Sequence, residues 1–164
     1  MGRVVTMSEF LPLRTELRHE GKRLVFTNGV FDILHRGHVE YLNQARNLGD
    51  RLFVGVNSDE STHRIKGDKR PIVPQQDRMF VLANLQSVDY VGMFEEDTPF
   101  EMISTIVPDI LVKGADWSID DVVGKDIVEA AGGRVLTIPF VPDRSTTNIV
   151  QRIIERYGRS TSSG

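Results

Sequence analysis

Apolar residues along this chain follow two alternating rhythms. Short runs such as Leu24-Val25-Phe26, Leu52-Phe53-Val54 and Ile110-Leu111-Val112 read as strands. The stretch 51–56 is apolar almost throughout, as expected of a strand buried on both faces of a parallel sheet. Between these runs, apolar residues recur every three or four positions, the spacing of one helix face. Residues 1–6 show neither rhythm and are expected to fray. Ser8 is a candidate N-cap for a helix carrying Phe10, Leu13 and Leu17 and ended by Gly21, with Pro12 tolerable only near its first turn. Strands are predicted at 23–27, 51–56, 90–94, 110–112 and 134–139. Helices are predicted at 37–48, 75–85, 99–106 and 120–131. A last helix opens at Ser145, with Ile149, Val150, Ile153, Ile154 and Tyr157 on its buried side. Residues 60–74 read as a long polar loop, and 158–164 as a small, polar, disordered tail.

Strand and helix alternate five times, which predicts an α/β fold. The expectation is one Rossmann-like, doubly wound domain over residues 1–164, with five parallel strands and helices on both faces. Ligands of such sheets bind at the carboxyl ends of the strands. The polar loops that follow strands, at 28–38, 57–70, 113–117 and 141–147, are therefore gathered at one rim.

Composition narrows the chemistry. A net charge of −3 lacks the basic excess of a general nucleic-acid binder. With no cysteine, neither disulfides nor thiolate metal sites are available. The amino terminus has no apolar signal core, and no run approaches the ~18 apolar residues of a membrane span. These features predict a soluble, cytoplasmic protein.

The chemistry concentrates between Thr27 and His38, where a strand breaks at Gly29 and feeds a helix. The first N–H groups of that helix lack intrahelical partners and carry the positive end of its dipole, which suits a phosphate. Gly37 lets a nucleotide lie against the helix start, and His35 and His38 share its mouth. A metal reading of the two histidines needs a third ligand. Asp32 either orients a histidine or phosphate loop or makes a simple Asx turn. Ser145-Thr146-Thr147 is a helix cap or a ring of hydroxyl donors. Lys66, Lys69 and Arg70 form a basic cluster that is either functional or merely solvated. Arg78 either reaches a phosphate or makes a surface ion pair, Trp117 reads equally as packing, and His63 reads as an ordinary loop histidine.

The pattern Gly-x-Phe-Asp-x-x-His-x-Gly-His, realised as Gly29, Phe31, Asp32, His35, Gly37 and His38, resembles the cytidylyltransferase-like nucleotidyltransferase superfamily over roughly residues 8 to 157. The stretches 25–29, 54–59, Lys66-Gly67 with Arg70-Pro71, 113–116 and 145–148 are more similar to the sugar-phosphate adenylyltransferases of ADP-heptose synthesis. The resemblance implies transfer of AMP from ATP to a sugar 1-phosphate, with His35, His38 and Lys66 catalytic. It implies nucleotide contacts from Thr27, Asn28, Gly29, Val30, Phe31, Gly37, His38, Lys113, Gly114, Asp116, Ser145, Thr146 and Thr147. Acceptor contacts fall to Asp32, Asn57, Asp59, Lys66, Arg70 and Arg78. Some relatives have an arginine-led, glycine-containing loop where this chain reads Val141-Pro142-Asp143-Arg144, so no role is carried over to Arg144. Mg²⁺ is expected to arrive with ATP, held by phosphates and water rather than by an acidic cage. The expected partners are the two small-molecule substrates and, from the resemblance alone, further copies of the chain in a homodimer or higher homo-oligomer, without nucleic acid or membrane. Two other readings stand: a cytidylyltransferase acting on glycerol 3-phosphate, and a non-catalytic nucleotide-binding module.

Overall fold

Six strands, not the expected five, form one all-parallel sheet in the computed structural model, which describes residues 1–115, 118–139, 142 and 144–158. They are β1 (Arg3–Val4), β2 (Leu24–Gly29), β3 (Arg51–Asn57), β4 (Tyr90–Phe94), β5 (Ile110–Gly114) and β6 (Arg134–Ile138), ordered β1-β4-β3-β2-β5-β6. The additional strand is β1. The first six residues do not fray: Arg3 N–H donates to the Asp89 carbonyl at 2.9 Å and Val5 N–H to that of Val91 at 2.9 Å. Two exposed residues are too few for any periodicity to reveal, so only the pairing defines them.

The helices are α1 (Met7–His19), α2 (Arg36–Arg46), α3 (Asp59–Lys66), α4 (Gln75–Ala83), α5 (Phe100–Ile106), α6 (Lys125–Ala130) and α7 (Thr146–Tyr157). Thr6, rather than Ser8, caps α1, in a reciprocal capping box with Glu9. The stretch predicted as one loop contains α3, capped by Ser58, whose Oγ accepts from Ser61 N–H at 3.1 Å. Asp59 and Glu60 open α3, and its last turn carries His63, Arg64 and Lys66, matching the helix dipole at both ends. The helix expected over 120–131 is divided into a 3₁₀ turn, Ile119–Asp121, and α6, because Gly124 takes φ +85° between them.

Alternate side chains along each strand pack into two cores, one on each face of the sheet. Val25, Leu52, Val54, Val91 and Val112 meet Leu42 and Ala45 of α2 and Leu82 of α4. Leu24, Phe26, Phe53 and Leu111 meet Phe10 and Leu17 of α1 and Met102, Ile103 and Ile106 of α5. Helix α7 departs from expectation: none of its residues is buried, and Ile153, Ile154 and Tyr157 are 49%, 56% and 76% exposed. From β2 the chain passes first to β3 on one side and later to β5 on the other. The crevice at the carboxyl ends of these strands lies at that change of direction.

Candidate active site

The loop leaving β2 has an unusual backbone. Phe31 adopts φ +49°, a left-handed conformation that a bulky residue holds only when its surroundings enforce it. Its buried ring covers Gly29, where a Cβ would lie 3.0 Å from the ring, and meets the His38 ring edge-on with centroids 5.3 Å apart. His35 is the N-cap residue of α2, yet its side chain makes no capping bond. Instead it stacks on His38, centroids 3.9 Å apart and planes 23° from parallel. Gly37 permits this stack: a Cβ there would sit 3.1 Å from both the His35 ring and the Arg144 Cβ.

Both imidazoles are shifted toward the uncharged form. Burial, with a smaller contribution from His35, pushes His38 down from 6.5 to about 4. Burial and then the nearby Arg144 cation lower His35 as well. Nδ1 of each ring is buried and has no hydrogen-bond partner among the described residues.

Two buried charged residues lock the surrounding loops. Asp32 Oδ1 accepts from Ile72 N–H at 2.9 Å and Val73 N–H at 2.8 Å, while its Oδ2 accepts from Arg70 Nε at 2.5 Å. Rather than making a local Asx turn, Asp32 holds a loop, tying the histidine segment to the stretch that carries Arg70, one of the expected phosphate ligands. Arg78, 1% exposed, donates to the carbonyls of Val73 (3.0 Å), Val30 (2.6 Å) and Asn57 (2.8 Å) and to Asp59 Oδ1 (2.7 Å). Its guanidinium is committed to the chain itself, neither to a phosphate nor to a surface pair, and its Asp59 partner is committed with it.

These elements enclose a cavity of about 720 Å³. Its wall includes the expected Asn28, Gly29, Val30, Phe31, Asp32, His35, Gly37, His38, Asn57, Lys66, Arg70, Lys113, Gly114, Ser145, Thr146 and Thr147. Lys113 Nζ donates to Asn28 Oδ1 at 2.5 Å, turning the Asn28 amide nitrogen the other way. Asn57 Nδ2 donates to Ser61 Oγ, which donates to the Glu96 carbonyl. Ser145 is a true cap, its Oγ accepting from Asn148 N–H at 3.1 Å, and it lines the cavity too. Three expected residues are absent from the wall: Thr27, buried against the Tyr41 hydroxyl at 2.8 Å, Asp59 and Arg78. Asp116, Trp117, Val141 and Asp143 lie outside the described residues.

The wall also contains residues the sequence reading left out: Tyr41, Ile65, Asp97, Thr98, Pro99, Val123 and Arg144. The rule that gathered the other loops, polar residues just after a strand, applies equally to 95–99 after β4, and that signal was available. Among the described residues, no group of three or more His, Cys, Asp or Glu is placed to hold a metal ion, and no helix is long and apolar enough to cross a membrane.

A family model described as cytidylyltransferase-like matches residues 26–161. The "Bifunctional protein HldE" of Syntrophotalea carbinolica is 57% identical over 140 residues, 85% of this chain and 29% of that protein. The homologous protein of Cronobacter sakazakii is 57% identical over 136 residues, again 29% of its length. The chain thus spans less than a third of the curated relatives it matches. Among solved structures, the lipopolysaccharide core biosynthesis protein of Thermoplasma volcanium GSS1 is 32% identical, with TM-score 0.61, over 74% of this chain and 98% of that one.

Proposed function

This chain belongs to the cytidylyltransferase-like family of nucleotidyltransferases, and we propose that it transfers AMP from ATP to a heptose 1-phosphate. With D-glycero-β-D-manno-heptose 1-phosphate the products are ADP-heptose and pyrophosphate, the former for lipopolysaccharide core or surface-glycan synthesis. The observation carrying the chemistry is the His35–His38 stack at the open start of α2. The glycan assignment draws support from the lipopolysaccharide core protein and the HldE relatives.

In this reading a sugar-phosphate oxygen attacks the α-phosphorus in line as the bond to the bridging α–β oxygen breaks and pyrophosphate leaves. Such transfers depend on positioning and charge neutralisation, with no covalent nucleophile required. His35 and His38 donate N–H to the α- and β-phosphate oxygens as charge gathers there. The amide donors that open α2 assist them. Asn28, Gly114 and the hydroxyls of Ser145, Thr146 and Thr147 receive the nucleotide, Arg144 adding a cation next to His35. Lys66 and Arg70 bring the two phosphates together. The wall is cationic and imidazole-rich, and the Asp32 carboxylate is already paired, so this donor set fits Mg²⁺ carried by the triphosphate and water. Bound there, the ion would supply charge neutralisation for the leaving pyrophosphate. The cell compartment is the cytoplasm in this proposal, and the working unit a homodimer or larger homo-oligomer.

Pyrophosphate release tests the reading, with ATP or CTP against heptose 1-phosphate or glycerol 3-phosphate. Turnover with ATP and the heptose phosphate is expected, and His38→Ala should lower kcat by about 10²-fold or more. Activity confined to CTP and glycerol 3-phosphate, or nucleotide binding with no pyrophosphate from any acceptor, would overturn it.

A further inference from the structure

The loop after β4 takes no part in the steps above, yet Asp97, Thr98 and Pro99 line the same cavity. The sheet order explains where. β3 and β4 lie on one side of β2, and β5 and β6 on the other, with the histidine stack at the β2 end between them. Lys113, Gly114 and the start of α7 follow β5 and β6. Asn57, α3 and Asp97 follow β3 and β4. A nucleotide seated on the β5 side leaves the β3–β4 side for the acceptor.

Charge then orients that acceptor. Lys66 and Arg70 bring positive charge to this half, and Asp97 a carboxylate. Arg64 Nε donates to Asp97 Oδ1 at 2.6 Å and its Nη2 donates to the Glu95 carbonyl at 2.5 Å, pinning the loop to α3. Oδ2 of Asp97 accepts no hydrogen bond among the described residues, and the side chain is 58% exposed. A carboxylate repels a phosphate and accepts strongly from a hydroxyl. The phosphate end must therefore face Lys66 and the histidines, and the hydroxyl-bearing end must face Asp97. Ile65 and Pro99 give that half apolar surface for the C–H face of a sugar ring.

We propose that Asp97 is a specificity determinant for the acceptor, accepting a hydrogen bond from a sugar hydroxyl remote from the phosphate, with Arg64 as its positioning residue. This rests on the sugar-phosphate reading above. Retained by one oxygen, the carboxylate keeps the other for the substrate, and the Arg64 cation limits its repulsion of an anionic acceptor.

Steady-state kinetics of the full chain provide the test, with ATP and either D-glycero-β-D-manno-heptose 1-phosphate or mannose 1-phosphate, which lacks the terminal carbon. Asp97→Ala should raise the heptose-phosphate KM about tenfold and narrow the heptose-over-hexose preference by a similar factor, with KM for ATP and Tm unchanged. Asp97→Asn, keeping a neutral acceptor, should recover part of the loss, and Arg64→Met should shift the same KM by less. An unchanged acceptor KM and preference in Asp97→Ala would overturn the inference while wild-type turnover upheld the reading beneath it. Parallel loss of ATP and acceptor affinity, or a fall in Tm, would also overturn it. A wild-type chain that adenylylates no sugar 1-phosphate would instead remove the underlying reading.

Discussion

Burial makes His38 resist protonation, and that has a thermodynamic signature. Its ring titrates near 6.5 when unfolded and near 4 in the folded chain, because burial penalises the imidazolium. Above pH 6.5 both states are neutral and the full stability is present. As pH falls from about 6.5 to 4 the unfolded chain takes up a proton that the folded chain refuses, so stability is lost through that window. The loss is on the order of 3 kcal/mol. Urea unfolding at pH 7 and pH 4.5 should show it, and His38→Gln should lose less than wild type between the two. The histidine pair was legible in the sequence because its determinants are local: Gly29, Asp32 and Gly37 in register with the end of a strand. The role of Arg78 was not. A guanidinium binds a phosphate or three carbonyls according to what tertiary structure brings near it, and Val30, Asn57 and Val73 come from three separate segments.

At the scale of elements, Arg78 on α4 is the point where the carboxyl end of β3, the histidine loop and the start of α3 are tied together. Removing a buried, fully hydrogen-bonded charge leaves its acceptors unpaired. Arg78→Ala should cost about 3 kcal/mol or more in urea unfolding. Arg78→Lys should rescue little, since one ammonium cannot span four acceptors in that planar arrangement. The elements most readable from sequence were those with many apolar positions: β2, β3, β4 and the α1, α2 and α4 helices fall within a few residues of expectation. Helix α3 was hidden because its buried positions are Ser61 and Thr62, polar residues that no hydrophobic periodicity records. Helix α7 shows the converse. Its apolar stripe gave its presence correctly and its burial wrongly, since amphipathicity describes a helix and not what covers it.

Across the whole molecule, one topological decision organises everything. All six strands run the same way, so each strand delivers its outgoing loop to one rim, and two cores of alternating side chains leave that rim polar. Residues as far apart in sequence as Asn28, Lys66, Asp97 and Ser145 meet there for that reason alone. The fold class followed from strand–helix alternation. The sixth strand and the contribution of the β4 loop needed the pairing itself. The opposite rim, where the turns at Lys22, Asp50 and Gly133 enter their strands, lies at the other end of the strands from the cavity. Because the chain has no native thiol, Lys22→Cys would offer a single handle there for a fluorophore or a sensor chip. A molecule tethered by that handle should face its cavity outward and keep full turnover.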